Sequence, residues 1–385
     1  MRIADVCEFY SEGGGGIRTY VNSKLRAAAR LGHDVTVIAP RPVPGVDEVE
    51  GGRIVWIKSP PVPGDPRYAI LYNRGAVHRA LDACDPQLVE GSSFWQGGVF
   101  AAQWRRSVPK VMVFHQDLVA VIPHTYLDRL LPREQIDRLC TPLWWHIARL
   151  SRRYDATLVS GRWLAERLTG FGIHNPVAIP FGVDKALFSA AKADPEMRQR
   201  MAERCGVSPD DPILVTVSRL HPEKRFPTLF QGFRRLTEGR RMGWVIFGDG
   251  VSRPKVERWC SESPGAHLWG YTDNREQLAS AMASGDVFYH GSAAETFGLV
   301  VAESICAGLP VVVPDVGGAF DLAHPGCSAV YEAGNGDAAA AAVNRLLDTP
   351  RDDIARACDV AKEKIWTMDG HFDRLFETYQ SLITG

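Results

Sequence analysis

The sequence predicts an α/β protein built from two similar, doubly wound domains, and three observations carry that prediction. The chain has 385 residues, more than a single ordinary hydrophobic core accommodates. Short β-rich runs alternate with amphipathic helical stretches, which is the pattern of parallel sheets covered by helices. The alternation breaks in a polar, Pro-containing stretch at Ala190–Pro212 and restarts cleanly at Ile213.

In chain order, Arg2–Cys7 reads as a strand, Ile17–Leu31 as a helix and Asp34–Ala39 as a strand. The Pro- and Gly-rich stretch Pro40–Gly64 reads as a loop or hairpin, because a regular helix does not tolerate that composition. Further strands are expected at Leu88–Glu90, Val111–Phe114 and Ala156–Val159. The second half gives strands at Ile213–Ser218, Trp244–Phe247, Ala266–Leu268, Val287–His290 and Pro310–Val313, separated by helical segments. The apolar spacing of Trp366–Ile383 makes it a helix. The joint between the domains is expected near Asn175–Asp184.

Composition excludes several classes of protein. A formal net charge of -1 argues against a nucleic-acid binder, which needs a basic excess. The eight cysteines are scattered and form no C-x-x-C pair, so they suit buried thiols in a reducing cytosol. The N-terminal MRIADVCEFY lacks a charged region followed by an apolar one, and no apolar run is long enough to span a bilayer. The expected location is cytoplasmic.

Four segments carry chemistry. Gly13–Gly16 lies between the first strand and the first helix, where glycines let backbone approach a ligand and the helix start offers unpaired N–H groups to an anion. A dinucleotide-binding turn does not fit: Arg18 stands where a third small residue is needed, and no acid ends the second strand at Ala39–Pro40. A flexible connector is the other reading of this loop. Next, Ser218–Lys224 follows the first strand of the second half and sets Arg219 and Lys224 in a strand-to-helix loop, where two cations can neutralise a diphosphate. Phe247–Gly250 makes a tight turn after the following strand, with Gly248 and Asp249 at its centre. Finally, Glu295 and Glu303 flank a loop-to-helix transition at Phe297–Gly298. Two carboxylates there can meet one ligand from two sides, while the N–H groups of Phe297, Gly298 and Leu299 face its phosphates. The last three segments end strands of one sheet at its ligand-binding edge. Taken singly, Arg219 and Lys224 read as solvated surface charges, and Glu295 and Glu303 as a capping acid and a solvated helix acid.

Taken in order, the Gly-rich opening, GHDVTV, VSRLHPEK, VIFGDG, the E-x7-E segment, AGLPVVVPDVGG and the closing helix begun by Trp366 resemble glycosyltransferase family 4 over nearly the whole chain. The resemblance implies the GT-B fold, two Rossmann-like domains facing a central cleft. Residues 1–182 would then form the acceptor-side domain and 183–365 the donor-nucleotide domain. The helix at 366–385 would be placed to cross back to the first domain. It further implies retaining transfer of a hexosyl group from a nucleoside-diphosphate sugar, UDP-glucose-like or GDP-mannose-like. The sequence has no Asp-x-Asp motif to hold a divalent metal on a diphosphate, so no metal and no cofactor beyond that donor is expected. By resemblance, Arg219 and Lys224 hold the diphosphate, Glu295 contacts the donor sugar and Glu303 the ribose. His115 in VFHQD lies near the transferred sugar, and Gly14, Gly15, Gly16, Gly248, Asp249, Phe297, Gly298 and Leu299 complete the donor contacts. Two positions depart from the family pattern: Arg225 replaces the usual Gly after the clamp lysine, and Gly291–Ser292 replaces Pro-Ser.

The acceptor is expected to be a lipid or a glycan. Arg67–Arg79 and His124–Arg153, with Trp144, Trp145, Arg129, Arg133 and Arg138, mix basic and apolar residues. An anionic membrane surface, such as the inner face of the cytoplasmic membrane, is therefore a candidate partner. A solvated helix face explains the same residues. Transfer to a soluble sugar, a sugar-nucleotide 2-epimerase of the same fold and a catalytically silent sugar-nucleotide binder are the competing readings.

Overall fold

The computed structural model describes every residue except Gly14, Gly64 and Arg129. Its contacts divide the chain into two compact units. The first comprises Met1–His115, Asp137–Ile179 and Asp369–Gly385, and the second comprises Gln116–Ile136 and Pro180–Met368. The chain thus changes unit four times.

In the first unit eight strands form one sheet: β1 (Arg2–Val6), β2 (Asp34–Arg41), β3 (Gly45–Val49), β4 (Gly52–Lys58), β5 (Leu88–Gly91), β6 (Lys110–Val113), β7 (Ala156–Val159) and β8 (Pro176–Ala178). The spatial order is β8-β7-β6-β5-β1-β2-β4-β3. All neighbours are parallel except β3 and β4, which pair as an antiparallel hairpin. The stretch expected as loop or hairpin is therefore a hairpin at the sheet edge, and its outer strand β3 carries Asp47 and Glu48, charges that discourage edge-to-edge pairing. Central strands are apolar throughout because both faces are covered; β2 is buried from Val35 to Pro40. The helix Gly16–Leu31 ends on Gly32 in the left-handed conformation, φ 70°.

A buried polar group sits in this unit. The Lys24 ammonium lies 2.5 Å from Asp5 and is also bonded to Glu90, and all three side chains are at most 1% exposed. Ser92 donates to Asp5 over 2.6 Å, and the Tyr379 hydroxyl donates to Glu90 from the C-terminal helix Met368–Thr384. Phe372, Leu375 and Phe376 of that helix are buried alongside. Trp366 and Thr367, expected as the start of this helix, instead form a short parallel ladder with Gly182–Val183.

The second unit carries six parallel strands: β9 (Ile213–Val217), β10 (Gly243–Phe247), β11 (Ala266–Gly270), β12 (Val287–Tyr289), β13 (Val311–Pro314) and β14 (Ser328–Tyr331), in the order β11-β10-β9-β12-β13-β14. Two apolar clusters, one on each face, enclose them: Phe188, Met201, Val245 and Phe288 on one, Phe230, Phe233, Trp244 and Tyr289 on the other. The polar stretch before β9 holds a helix, Pro195–Cys205, which Asp194 caps and Pro195 begins. Its buried face is made by Met197, Met201, Ala202 and Cys205, a spacing hidden among charged residues.

Candidate functional site

Strand order alone brings the second unit's candidate residues together. β10, β9 and β12 are neighbours, so the loops after their C-terminal ends share one edge of the sheet. The loop after β9 carries Arg219 and Lys224, the turn after β10 carries Gly248 and Asp249, and the loop after β12 carries Glu295.

Lys224 and Glu295 meet directly, with Nζ 2.5 Å from Oε1. Burial alone would raise the Glu295 carboxyl, but the Lys224 ammonium, the His290 ring and the Arg219 guanidinium outweigh it and hold the group at about 2. Arg219 lies 3.1 Å from Glu223, a carboxylate that is buried yet also 3.5 Å from Lys224. Arg219 itself is 73% exposed, so its cation remains open to an incoming anion while one edge is steadied.

The glycines explain how these loops approach. Gly248 has φ 145°, and a Cβ there would lie 1.8 Å from the Ser218 carbonyl oxygen. The turn is laced to the clamp loop by Leu220 N donating to the Asp249 carbonyl over 2.8 Å. The Asp249 carboxylate pairs with Arg253 at 3.3 Å. Gly291, where the family usually has Pro, packs against the clamp lysine itself: a Cβ would stand 2.6 Å from the Lys224 carbonyl. On the other side the Gly318 N–H donates to the Glu295 carbonyl over 2.6 Å, and a Cβ on Gly318 would strike Thr296. The closing VGG of the AGLPVVVPDVGG segment thus holds the acid loop in place.

Phe297 is buried edge-on to Phe181, which anchors the turn. Gly298, φ 91°, begins the helix Leu299–Cys306, whose N-terminus has no side-chain cap. Leu299 is partly exposed at that end. Glu303 lies one turn further on and is paired with Arg275 at 3.0 Å. Burial pushes its carboxyl up to about 7, against the pull of Arg275 and with a further push from Asp184.

Sequence reasoning passed over three residues here. Arg275 partners Glu303 from a distant helix, and nothing local announces it. Glu223, within HPEK, is buried between the two clamp cations. His290, the last residue of the expected strand, is buried, and its Nε2, 3.9 Å from Glu295 Oε1, has no hydrogen-bond partner among the described residues, while the ring bonds to the Ser292 backbone. Burial lowers it to about 4 despite the neighbouring carboxylate, so its ring is neutral near pH 7.

In the first unit, Gly15 is the N-cap and Gly16 the first residue of its helix, and a Cβ on either would meet nothing within 4 Å. Neither packing nor a positive φ therefore demands glycine at these positions. Gly14 lies outside the described residues. His115 follows β6, its ring edge-on to Tyr20 at 5.7 Å. Burial holds this imidazole down at about 4, with Asp5 opposing and Lys24 assisting, so it too is neutral near pH 7. Among the described residues no three His, Cys, Asp or Glu side chains are grouped as a metal site, and no helix is long and apolar enough to cross a membrane.

Two Rossmann-like units, with cations and carboxylates at the C-terminal edge of the second sheet, define a nucleotide-sugar glycosyltransferase of the GT-B fold. Comparison with known proteins makes the assignment specific. Residues 197–364 match the model for glycosyl transferases group 1, and residues 14–187 match glycosyltransferase family 4. A GDP-mannose-dependent alpha-mannosyltransferase of Mycobacterium tuberculosis is 33% identical over 84% of this chain and 82% of its own length. A GDP-mannose-dependent alpha-(1-6)-phosphatidylinositol dimannoside mannosyltransferase of the same organism is 27% identical over 81% of this chain and 79% of its own. Among solved structures, sucrose-phosphate synthase from Thermosynechococcus elongatus superposes with a TM-score of 0.79 at 18% identity, covering 100% of this chain and 99% of the other. The chain belongs to glycosyltransferase family 4 and is a hexosyltransferase that uses a nucleotide-sugar donor.

Proposed function

We propose that this enzyme transfers an α-mannosyl group from GDP-mannose, with retention, to a mannose-bearing glycolipid. The observation that carries the site chemistry is the Lys224–Glu295 pair at 2.5 Å with Arg219 beside it. In this reading Arg219 and Lys224 meet the charge that develops on the departing diphosphate, assisted by the open N-terminus of Leu299–Cys306. Glu295, ionised at any working pH, accepts hydrogen bonds from donor-sugar hydroxyls, and Glu303 accepts from the ribose. Gly248 holds the loop, Asp249 steadies the turn, and the N–H groups of Phe297, Gly298 and Leu299 face the phosphates.

Residues 1–182 supply the acceptor side, with neutral His115 near the transferred sugar and Gly15 and Gly16 admitting the donor closely; residues 183–365 bind the nucleotide. Retention follows from a front-face path in which the leaving phosphate takes the acceptor proton, so Glu295 is not a nucleophile. With two cations at the diphosphate, the reaction needs no divalent metal.

GDP-mannose is preferred because both mannosyltransferases named above are GDP-mannose-dependent, and a glycolipid acceptor because one of them is a phosphatidylinositol dimannoside mannosyltransferase. The test is a panel of GDP-mannose, UDP-glucose, UDP-galactose and ADP-glucose against phosphatidylinositol mannosides, alkyl mannosides and free sugars, with NMR of the product. GDP-mannose should dominate and give an α-linked product. Turnover with a uridine donor alone, a β-linked product, or a new sugar nucleotide formed without acceptor would each overturn the reading.

A further inference from the structure

Arg225 follows the clamp lysine directly and has φ 56°, in the left-handed region. The other described non-glycine residues with positive φ are Asp85 and Asn175, types that tolerate it. An arginine there carries backbone strain that glycine would not. Such a residue persists when its side chain is used. The guanidinium grips Asp128 with two bonds, Nη1 to Oδ1 at 2.9 Å, and Nη2 also donates to the His124 carbonyl at 2.9 Å. The two side chains are only 12% and 17% exposed, which makes this fork-to-carboxylate pair stronger than a surface one.

What Arg225 grips is as telling. The chain leaves the first unit after His115 and returns to it at Asp137, so Gln116–Ile136 is a connecting segment that packs with the second unit. Asp117 caps its first helical turn, accepting from Val119 and Ala120 N–H at 2.9 and 3.0 Å. The segment is therefore braced at the end next to His115, and Arg225 fixes it further along, from the loop that carries Lys224.

We propose that Arg225 is a positioning residue for the transfer step: its clasp on Asp128 and His124 ties the segment that begins beside His115 to the donor clamp loop. The clasp thereby orders that segment, which belongs to the stretch proposed to supply the acceptor side, against the loop that carries Lys224 within the same unit, and it adds nothing to nucleotide affinity. This rests on the donor-site reading proposed above.

The experiment compares Arg225→Gly, Asp128→Asn and the double variant in the full chain. Arg225→Gly relieves the strained φ as it deletes the clasp, so the fold is kept. Asp128→Asn preserves shape and guards against a folding artefact. Calorimetry with GDP gives nucleotide affinity. GDP release from GDP-mannose, with octyl α-mannoside or with water alone, gives transfer and hydrolysis.

Each single variant should lower the transfer-to-hydrolysis ratio about tenfold, with GDP affinity within a factor of two of the parent. The double variant should be no worse than Arg225→Gly. A purely structural loss would depress both rates together and leave the ratio unchanged, which would overturn the proposal. So would a wild-type ratio in Arg225→Gly, or a fall in GDP affinity that matches the fall in transfer. Parent protein that binds no GDP and turns over no GDP-mannose would instead overturn the donor-site reading, and the clasp with it.

Discussion

Glu295, in the loop before the helix Leu299–Cys306, and Glu303, one turn into that helix, have been driven in opposite directions by their surroundings. Glu295 is held at about 2 by Lys224 against its burial, whereas Glu303 is lifted to about 7 by burial that Arg275 only partly offsets. Glu295→Gln and Lys224→Ala should therefore each cut turnover on the order of 10²–10³ while circular dichroism stays unchanged. Near-parental turnover in either folded variant would remove the assigned role. Glu303 gives a pH signature. Its folded value lies above the ordinary carboxylate value, so its stabilising contribution is complete below about 4.5 and is lost as pH rises through about 7. Glu303→Gln should melt a few degrees above the parent at pH 8 and no higher at pH 5. GDP-mannose affinity of the parent should rise as pH passes 7, because the ribose contact needs the ionised carboxylate. A flat affinity profile in the parent would contradict that contact.

At the scale of the element, the clamp loop depends on a backbone approach that only glycine allows. Gly248→Ala would put a Cβ 1.8 Å from the Ser218 carbonyl, and neither partner is a flexible side chain. The loop bearing Arg219 must then move. We expect a stability loss of about 2–4 kcal/mol by urea unfolding, and a higher KM for donor even where the protein is folded. Parental stability and KM would show that the turn has slack. The buried Lys24 group poses a harsher case. Lys24→Ala leaves Asp5 and Glu90 buried without their cation, and the expected loss is roughly 3–5 kcal/mol.

For the whole molecule, two units with separate cores predict two unfolding transitions. GDP should raise the transition of the unit that carries Lys224 and leave the other in place. Tyr379→Phe removes the hydroxyl that serves Glu90 in the first unit and should lower only that unit's transition, by about 1–3 kcal/mol of stability. A single transition displaced by both changes would mean that the units unfold as one.

How much of this was legible in the chain depends on the range of the interaction. Most strand positions and the helix at residues 16–31 could be placed because apolar period, β-branching and terminal glycines act within a few residues. The helix Pro195–Cys205 escaped notice because four buried side chains are spaced through a charged stretch. The segment Gln116–Ile136 was legible neither as part of the second unit nor as a target of Arg225, since that pairing spans about a hundred residues.

The sequence by itself determined the class: two wound α/β domains, the cation pair, the two carboxylates and the family they resemble, because each motif is a local solution to placing charge at a strand end. Only the tertiary structure decided which charges meet. It set Lys224 on Glu295, Arg275 on Glu303 and Glu223 between the clamp cations, and it gave the two departures from the family pattern their reasons in Gly291 against the Lys224 carbonyl and Arg225 on Asp128. A carboxyl's proton affinity depends on burial and on charges a few ångströms away, and those neighbours come from remote positions in the chain.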